Sequence, residues 1–549
     1  MSRRARIAVA VLAVLHGGVL LGSSLARWST FHDRTFDLAF YARLAWGLVR
    51  GHTWEPMVGA HVFGLHLSPV LVPLGALGAL FGTVPVLLAA QAVLVAAAAF
   101  PLPRFGARRA GDAGAILGAA AFVLYPNLGH VAPESFHPGT VAVLPLAWAI
   151  DALDRRDARA LAWSVAGVLA CREDLALVSV AWLAVYLAVL LPIFGPRVGS
   201  FDLHFGPLVS HPEAFFAHLA RPERISYLLR VLLPLALLPL ARPRWLLVAA
   251  PVLALNFLSA FPSTAELGSH YLSPAIPALV AGAIDGAVRI GRRAGLGILA
   301  VGVGVACFLA GGLPFSRDFP AGELVADART HAARRVRRAI PDEVSVQAPG
   351  WFLAHVAERD LVFLGPPPDR EAAFVVLDVS HRRRYARQET LLRTREEPIA
   401  RRWLARGDHA LALATGDLLL LRRGGRPREG VGGRAIRGRA PSSSGVSLSA
   451  CLALLGARAS GDRVAIDFVA RGPCPGDVGL RIGSDEKPRR VDLLFGGLLS
   501  PVHLREGDLV RSVHEVDLGG RALRVGLLRS GGARIERTDP ISVDVPIGR

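Results

Sequence analysis

The chain has 549 residues, a mean hydropathy of +0.41 and 52% hydrophobic residues, which is too apolar for an ordinary soluble protein. Its formal net charge of +18 would suit nucleic acid, but Lys487 is the only lysine and asparagine occurs only at Asn127 and Asn256. That is the bias of a GC-rich genome, and with no basic helix carrying interleaved aromatics it argues against nucleic acid as a partner.

In chain order, the long apolar runs are confined to residues 1–315. The first, 7–24, follows Arg3, Arg4 and Arg6, which points the N-terminus into the cytoplasm, and it reads as an uncleaved anchor. Further candidate spans are 84–103, 111–126, 138–153, 160–192, 226–241, 244–260, 271–289 and 294–313. A spanning helix needs about 20 residues. The stretch 66–82 is too short and reads as a helix in the outer interface, while 160–192 is long for one span and short for two. Nine crossings starting inside place "RFGARR", "DRRDAR", "ARPR" and "RIGRR" in the cytoplasm, the positive-inside pattern at every inner turn. The same count places 25–83, 127–137, 193–225, 261–270 and everything after the last span outside.

The soluble part begins near Ser316. "EVSVQA", "LVFLG", "AFVVLDVS", "ALALA" and "DLLLLRR" read as strands, with helical stretches near 350–358 and 386–406, so 316–422 is expected to be a small α/β unit. Residues 423–445, rich in Gly, Arg, Pro and Ser, form a linker. "RVAIDFVA", "RRVDLLF", "VHEVDL" and "ALRVGLLR" then predict an all-β sandwich over 446–549. Cys171, Cys307, Cys451 and Cys474 have no zinc spacing. Cys451 and Cys474 can pair in an oxidising compartment, but two unpaired small hydrophobes are the favoured reading.

Ionisable groups at membrane depth are costly and need a reason. "CREDLAL" places Arg172, Glu173 and Asp174 midway along an apolar run. It is either a self-neutralised break between two short helices or a cluster facing a cavity, where Arg172 meets a phosphate and the acids position a base or a cation. The outer loops repeat the theme. The first carries Asp33, Asp37, Arg43, His52, Glu55, His61 and His66; the second His130, Glu134 and His137; the last Glu266, His270 and Tyr271. No pair has the helical spacing of a zinc motif, so no metal ligand is assigned, although a divalent cation stays open. "FDLAFYARLAWGLVRG" is amphipathic and is expected to lie on the membrane surface, with Asp37 in its first turn serving either as a helix-terminus charge or as a reactive carboxylate.

These residues resemble a known group. "TFDLAFYARLAW", "HLSPVLVPLGAL", "YPNLGHVAPESFHPG", "CREDLAL" and "HYLSPAIP" are similar to a bacterial predicted-membrane-protein family, domain of unknown function 2079. An acidic loop after the first span, surface helices, arginine-rich inner turns and an extracytoplasmic C-terminal domain resemble the GT-C membrane glycosyltransferases. Two features depart from the pattern: the first loop has no contiguous Asp-x-Asp, and the hydrophobic sequence between "CREDLAL" and the 193–225 loop is shorter than is usual in the family.

The resemblance implies a bundle in the bacterial cytoplasmic membrane whose C-terminal domains are extracytoplasmic. It implies transfer of a sugar from a polyprenyl-phosphate donor to a lipid, glycan or protein acceptor. Asp37, with Asp33 in reserve, would be the base, and Arg172 the phosphate partner. Glu173, Asp174, Arg43, His66, Glu134, His137, His270 and Tyr271 would line the site. The alternatives are a transporter or flippase of a lipid-linked or anionic substrate, for which buried charge is equally natural, and a non-catalytic assembly protein on the same scaffold.

Overall fold

The computed structural model describes residues 1–32, 36–62, 67–172, 175, 204–205, 210, 213–365, 372–378, 409–415, 418–424, 444–460, 463–472, 477–483, 490–493, 506–507, 509–515, 522–531, 534–537 and 541–544. They form two compact units, 1–330 with 350–364, and 331–349 with 365–549.

The first unit is helical. α1 (Arg3–Ser29) is followed by α2 (Asp37–Leu48), α3 (Leu71–Phe81), α4 (Thr83–Ala97) and α5 (Pro101–Val123). α6 (Pro126–Glu134), α7 (Val143–Arg155), α8 (Ala158–Cys171), α9 (Pro222–Leu232), α10 (Pro243–Leu258) and α11 (Ile276–Ala310) complete the set used below. Among the described residues, three stretches, Arg3–Ser29, Thr83–Val123 and His270–Ala310, are long and apolar enough to cross a membrane. Two of them contain a reversal. In α5 the backbone leaves the helix at Ala110 and at Gly111, where φ is +61°. Gly106 and Gly114 would lie about 12 Å apart along a straight helix, yet each presses on the other's carbonyl with no room for a Cβ. The chain therefore doubles back at "RFGARR". α11 does the same at Gly291, φ +136°, where Gly295 abuts the Ala287 carbonyl.

Small residues let the helices approach closely, as membrane packing requires. Gly286 meets the Leu238 carbonyl, and Gly118 has Ile284 at its face. The core they enclose includes Leu20, Phe105, Phe122, Tyr125, Tyr227 and Trp245, all fully or almost fully buried. α3, at 11 residues, is about 16 Å long and too short to span. Its Leu71, Leu74, Gly75 and Gly78 face inward, while Val72, Leu77, Leu80 and Phe81 are exposed.

α2 corrects the sequence reading. It is not a surface helix: Leu38 through Ala45 and Gly47 are all buried. The polar face that the sequence pattern suggested contains Ala39, Ala42 and Ala45, and side chains this small let α3 close over it, with Gly75 against the Ala45 carbonyl. At the end of α1 the chain turns through Phe31 (φ +58°), whose ring stacks on His355 at 3.5 Å. Arg27 pairs with Glu323 at 2.8 Å, and Thr330 donates to the Thr30 carbonyl at 2.9 Å.

In the second unit, strands Val346–Ala348, Phe374–Asp378, Leu418–Arg423 and His409–Thr415 lie side by side in that order. The first pair is parallel and the other pairs antiparallel. Helix Ala328–Arg338 was not foreseen, because its seven polar or charged residues hide the inward Ala332, Ala333 and Val336. The predicted helix near 386–406 lies outside the described residues.

The C-terminal strands form two antiparallel sheets, one of Val446–Ser447, Leu452–Ser460, Arg463–Ala470 and Leu509–Glu515, the other built around Asp477–Gly483 and Ala522–Gly531. Along Arg463–Ala470, Val464, Ile466 and Phe468 point inward with the period-2 alternation of a half-buried strand. Cys451 is disulfide-bonded, contrary to the favoured unpaired reading. Arg471 donates its N–H to the Cys451 carbonyl at 2.8 Å, and Cys474 lies outside the described residues. Cys171 and Cys307 are buried and free.

Candidate functional site

The site grows from one face of α2. Asp37 stands in the first turn and Tyr41 four residues on, which puts them on the same side of the helix. The buried Tyr41 ring meets Phe136 edge-on at 5.8 Å and His137 at 6.2 Å. His137 sits just before the short turn Pro138–Val141, and its ring stacks on His270 at 3.6 Å with 10° between planes. Tyr271 lies 4.1 Å from the His270 ring and 5.5 Å from the His204 ring. Arg172 caps α8 in an extended conformation, and its Cδ and Nη1 lie 3.7 Å from where a Cβ on Gly139 would be. Tyr41, Phe136, His137 and His270 thus form a wall of rings, and Asp37, one turn before Tyr41, and Arg172, beside Gly139, are half-buried.

Three buried amides hold the loops that carry these rings. Gln91 donates to the Ser135 carbonyl at 2.6 Å and accepts the His137 N–H at 2.8 Å. Asn127 donates to the Leu267 and Ser269 carbonyls at 2.7 and 2.8 Å and accepts from Ser273 Oγ at 2.9 Å. Asn256 donates to the Tyr271 carbonyl at 3.1 Å and to Tyr227 Oη at 2.9 Å. Both asparagines of the chain therefore fasten the loop of His270 and Tyr271. Each such bond contributes about 1 kcal/mol, and leaving one of its buried partners unmet costs about 1–3 kcal/mol. Sequence reasoning passed over these amides. The available signal was an uncharged polar side chain inside an apolar run, as in "LLAAQAVLV" for Gln91.

Arg43, expected at the site, points elsewhere. It is buried two positions after Tyr41, donates to the Asp360 carbonyl at 2.9 Å and lies over Trp46 at 5.1 Å. Its electrostatic neighbour is Glu55, which sequence reasoning noted in the loop and did not select. Glu55 is fully buried in the hairpin of Trp54–Glu55 with Ala60–His61 and accepts the Met57 N–H at 3.0 Å. Burial pushes its carboxyl up to about 7, against the pull of Met57 N–H and Arg43. Asp33, His66, Glu173 and Asp174 lie outside the described residues, and of Glu134 only its place at the end of α6 is described. Among the described residues no group of three His, Cys, Asp or Glu is placed to hold a metal ion.

A family model described as "Predicted membrane protein (DUF2079)" matches residues 27–192 and 177–370, which together cover more than half of the sequence. The chain belongs to this family. The matched residues carry every part of the DUF2079 site just described, from Asp37 to Tyr271. Among solved structures, the DUF2079 chain is similar to ArnT from Cupriavidus metallidurans, crystallised in the apo state. The two share 14% identity at a TM-score of 0.42, over 73% of this chain and 96% of that one. No curated protein matches the sequence.

The DUF2079 bundle gathers its arginine-rich turns at one end. Arg108 pairs with Asp151 and Asp154 at 2.8 Å each, and Arg109 reaches Asp285 at 3.3 Å. Arg242 meets the same Asp285 at 3.7 Å, and Arg292 donates to the Ala110 carbonyl at 2.7 Å. All four turns named in the sequence reading take part. His137 lies fourteen positions before Asp151, and His270 fifteen before Asp285, so the histidine pair is about 20 Å up the bundle from this network.

Proposed function

We propose that this DUF2079 protein is a GT-C-type glycosyltransferase that takes a sugar from a polyprenyl phosphate at the outer face of the bacterial cytoplasmic membrane. The observation that carries the reading is the contact of Tyr41, one turn after Asp37, with the His137–His270 stack, which Arg172 approaches at Gly139. A carboxylate, an arginine fork and a ring wall are what this reaction asks for. Arg172 holds the lipid phosphate bidentately, with His270 and Tyr271 as further donors. Asp37 takes the proton of the acceptor hydroxyl as its oxygen attacks the anomeric carbon. The bond from that carbon to the phosphate oxygen breaks, and the charge leaves with the polyprenyl phosphate, where Arg172 stabilises it.

Orientation follows from charge. The arginine end faces the cytoplasm by the positive-inside rule, which puts the histidine end outside. A disulfide at Cys451 suits an oxidising compartment for the C-terminal strands. Purified protein given labelled polyprenyl-phosphate sugars and a mixture of lipid and glycan acceptors should release free polyprenyl phosphate and label an acceptor. Movement of the intact donor across a bilayer, with no bond broken, would replace this reading with that of a flippase.

A further inference from the structure

The arginine end carries more positive charge than its own acids consume, and the sugar-transfer reading gives that surplus no task. Every carboxylate described there is engaged. Asp151 is fully buried among Arg108 at 2.8 Å, Arg155 at 3.1 Å and Arg104 at 3.8 Å. Asp157 pairs with Arg155 at 2.9 Å and caps α8, and Asp112 accepts the Ser2 N–H at 2.9 Å. Asp285 takes Arg244, Arg242 and the Trp245 indole, the last at 3.1 Å.

A second set of arginines has no ion pair among the described residues. Arg3, Arg4 and Arg6 are exposed on the first turn of α1. Arg156 and Arg159 are exposed beside the α7–α8 turn, and Arg289 and Arg293 flank the Gly291 reversal. They share one end, because Ser2 bonds Asp112, Arg292 bonds Ala110, and Arg108 bonds Asp154.

Directly up the bundle from these guanidiniums, each helix exposes apolar side chains. Val11, Val14 and Leu15 are 49%, 72% and 62% exposed on α1, and Trp163, one turn beyond Arg159, is 73% exposed. Ile298 and Val301 follow Arg293 at 46% and 66%. A ring of unpaired cations directly below an exposed apolar belt matches an acyl layer with acidic headgroups at its edge. A soluble acidic protein would leave that belt uncovered.

We infer that this end of the bundle binds anionic phospholipid, with Arg156, Arg159, Arg289 and Arg293 holding headgroup phosphates against the apolar faces of α8 and α11. Each guanidinium at headgroup depth favours an acidic lipid about fivefold, and the preference weakens with salt. The inference is independent of sugar transfer.

The test places the full chain in nanodiscs of equal phosphatidylglycerol and phosphatidylcholine, extracts it in mild detergent and weighs the co-purifying lipid by mass spectrometry. Phosphatidylglycerol should be enriched about fivefold or more, and 0.5 M salt in the wash (a Debye length of about 4 Å) should remove most of that enrichment. The combined variant Arg156→Gln, Arg159→Gln, Arg289→Gln, Arg293→Gln should lose most of that enrichment, with the remainder resting on Arg3, Arg4 and Arg6. Arg422→Gln with Arg458→Gln, which removes charge from the second unit, should keep the enrichment. Equal retention of both lipids by the unaltered chain overturns the inference, whether or not the combined variant folds. Wild-type enrichment in the combined variant overturns the assignment to these arginines.

Discussion

At the arginine end of the bundle, Asp151, Asp154 and Asp285 are each met by guanidinium groups, so charge there answers charge within the fold. At the histidine end, Gln91 holds the His137 N–H, Asn127 holds the Ser269 carbonyl next to His270, and Asn256 holds the Tyr271 carbonyl, and all three are neutral. The difference separates two uses of polar residues in one membrane protein. Ion pairs fasten helix turns and consume the charge they bring. Neutral amides fix loop geometry without bringing charge of their own. On this view, changes at the first end move stability, and changes at the second move chemistry.

The largest expected effect at the arginine end comes from Asp151→Asn. It leaves Arg108 and Arg155 facing an amide that cannot answer their charge, and breaking a buried pair costs about 3–5 kcal/mol. The unfolding midpoint in detergent should fall, with sugar transfer per folded molecule unchanged. A loss of transfer without a loss of stability would break the comparison.

Glu55→Gln comes next and reads out as a pH effect. The Glu55 carboxyl titrates near 7 in the fold against an ordinary 4.5, so the folded state holds its proton more tightly than the unfolded chain does. Stability from this group is complete below about pH 4.5 and is lost as pH rises to about 7, a change of about 3 kcal/mol. Thermal unfolding measured from pH 4.5 to pH 8 should show that slope in the wild type and a flatter profile in Glu55→Gln. Equal slopes would mean that Glu55 is not held protonated.

Arg172→Lys keeps the charge and loses the fork, which should raise the donor KM by a factor corresponding to about 1.5–3 kcal/mol, with the melting point unmoved. An unchanged KM would return Arg172 to a structural pairing role. The smallest effect is expected for Asn256→Ala, which releases the Tyr271 carbonyl and Tyr227 Oη at a cost of about 1–2 kcal/mol. It should lower kcat as well as stability, because the loop it frees carries His270. A pure stability loss would show that the amides brace the fold and do not serve the site.

Much of the architecture was legible in the sequence because it rests on periodicity and on charge placement. The four arginine turns, the reversals at Gly111 and Gly291 and the strand at 463–470 each carry a local signal of that kind. The burial of α2 was not legible, since alanines at 39, 42 and 45 look the same whether they face water, lipid or another helix. Glu55 escaped for the same reason: nothing in "HTWEPM" says that the hairpin closes over its carboxyl. Of the candidate site, the sequence offers the residues but not their contacts. Asp37, Arg172, His137 and His270 stood out as charge near the membrane, but the pairing of His137 with His270 spans more than a hundred residues and depends on loops that only the fold brings together.

The central claim is that the histidine end does chemistry and the arginine end does not, and one assay reads it most directly. Transfer of a labelled sugar from its polyprenyl phosphate is measured for the wild type, Asp37→Asn and Asp151→Asn, each normalised to folded protein. The account predicts that Asp37→Asn melts normally and loses about 10²–10⁴-fold in rate, because an amide cannot take the acceptor proton. It predicts that Asp151→Asn melts lower and transfers at the wild-type rate. Near-normal transfer by Asp37→Asn, or a matching rate loss in Asp151→Asn, would contradict it.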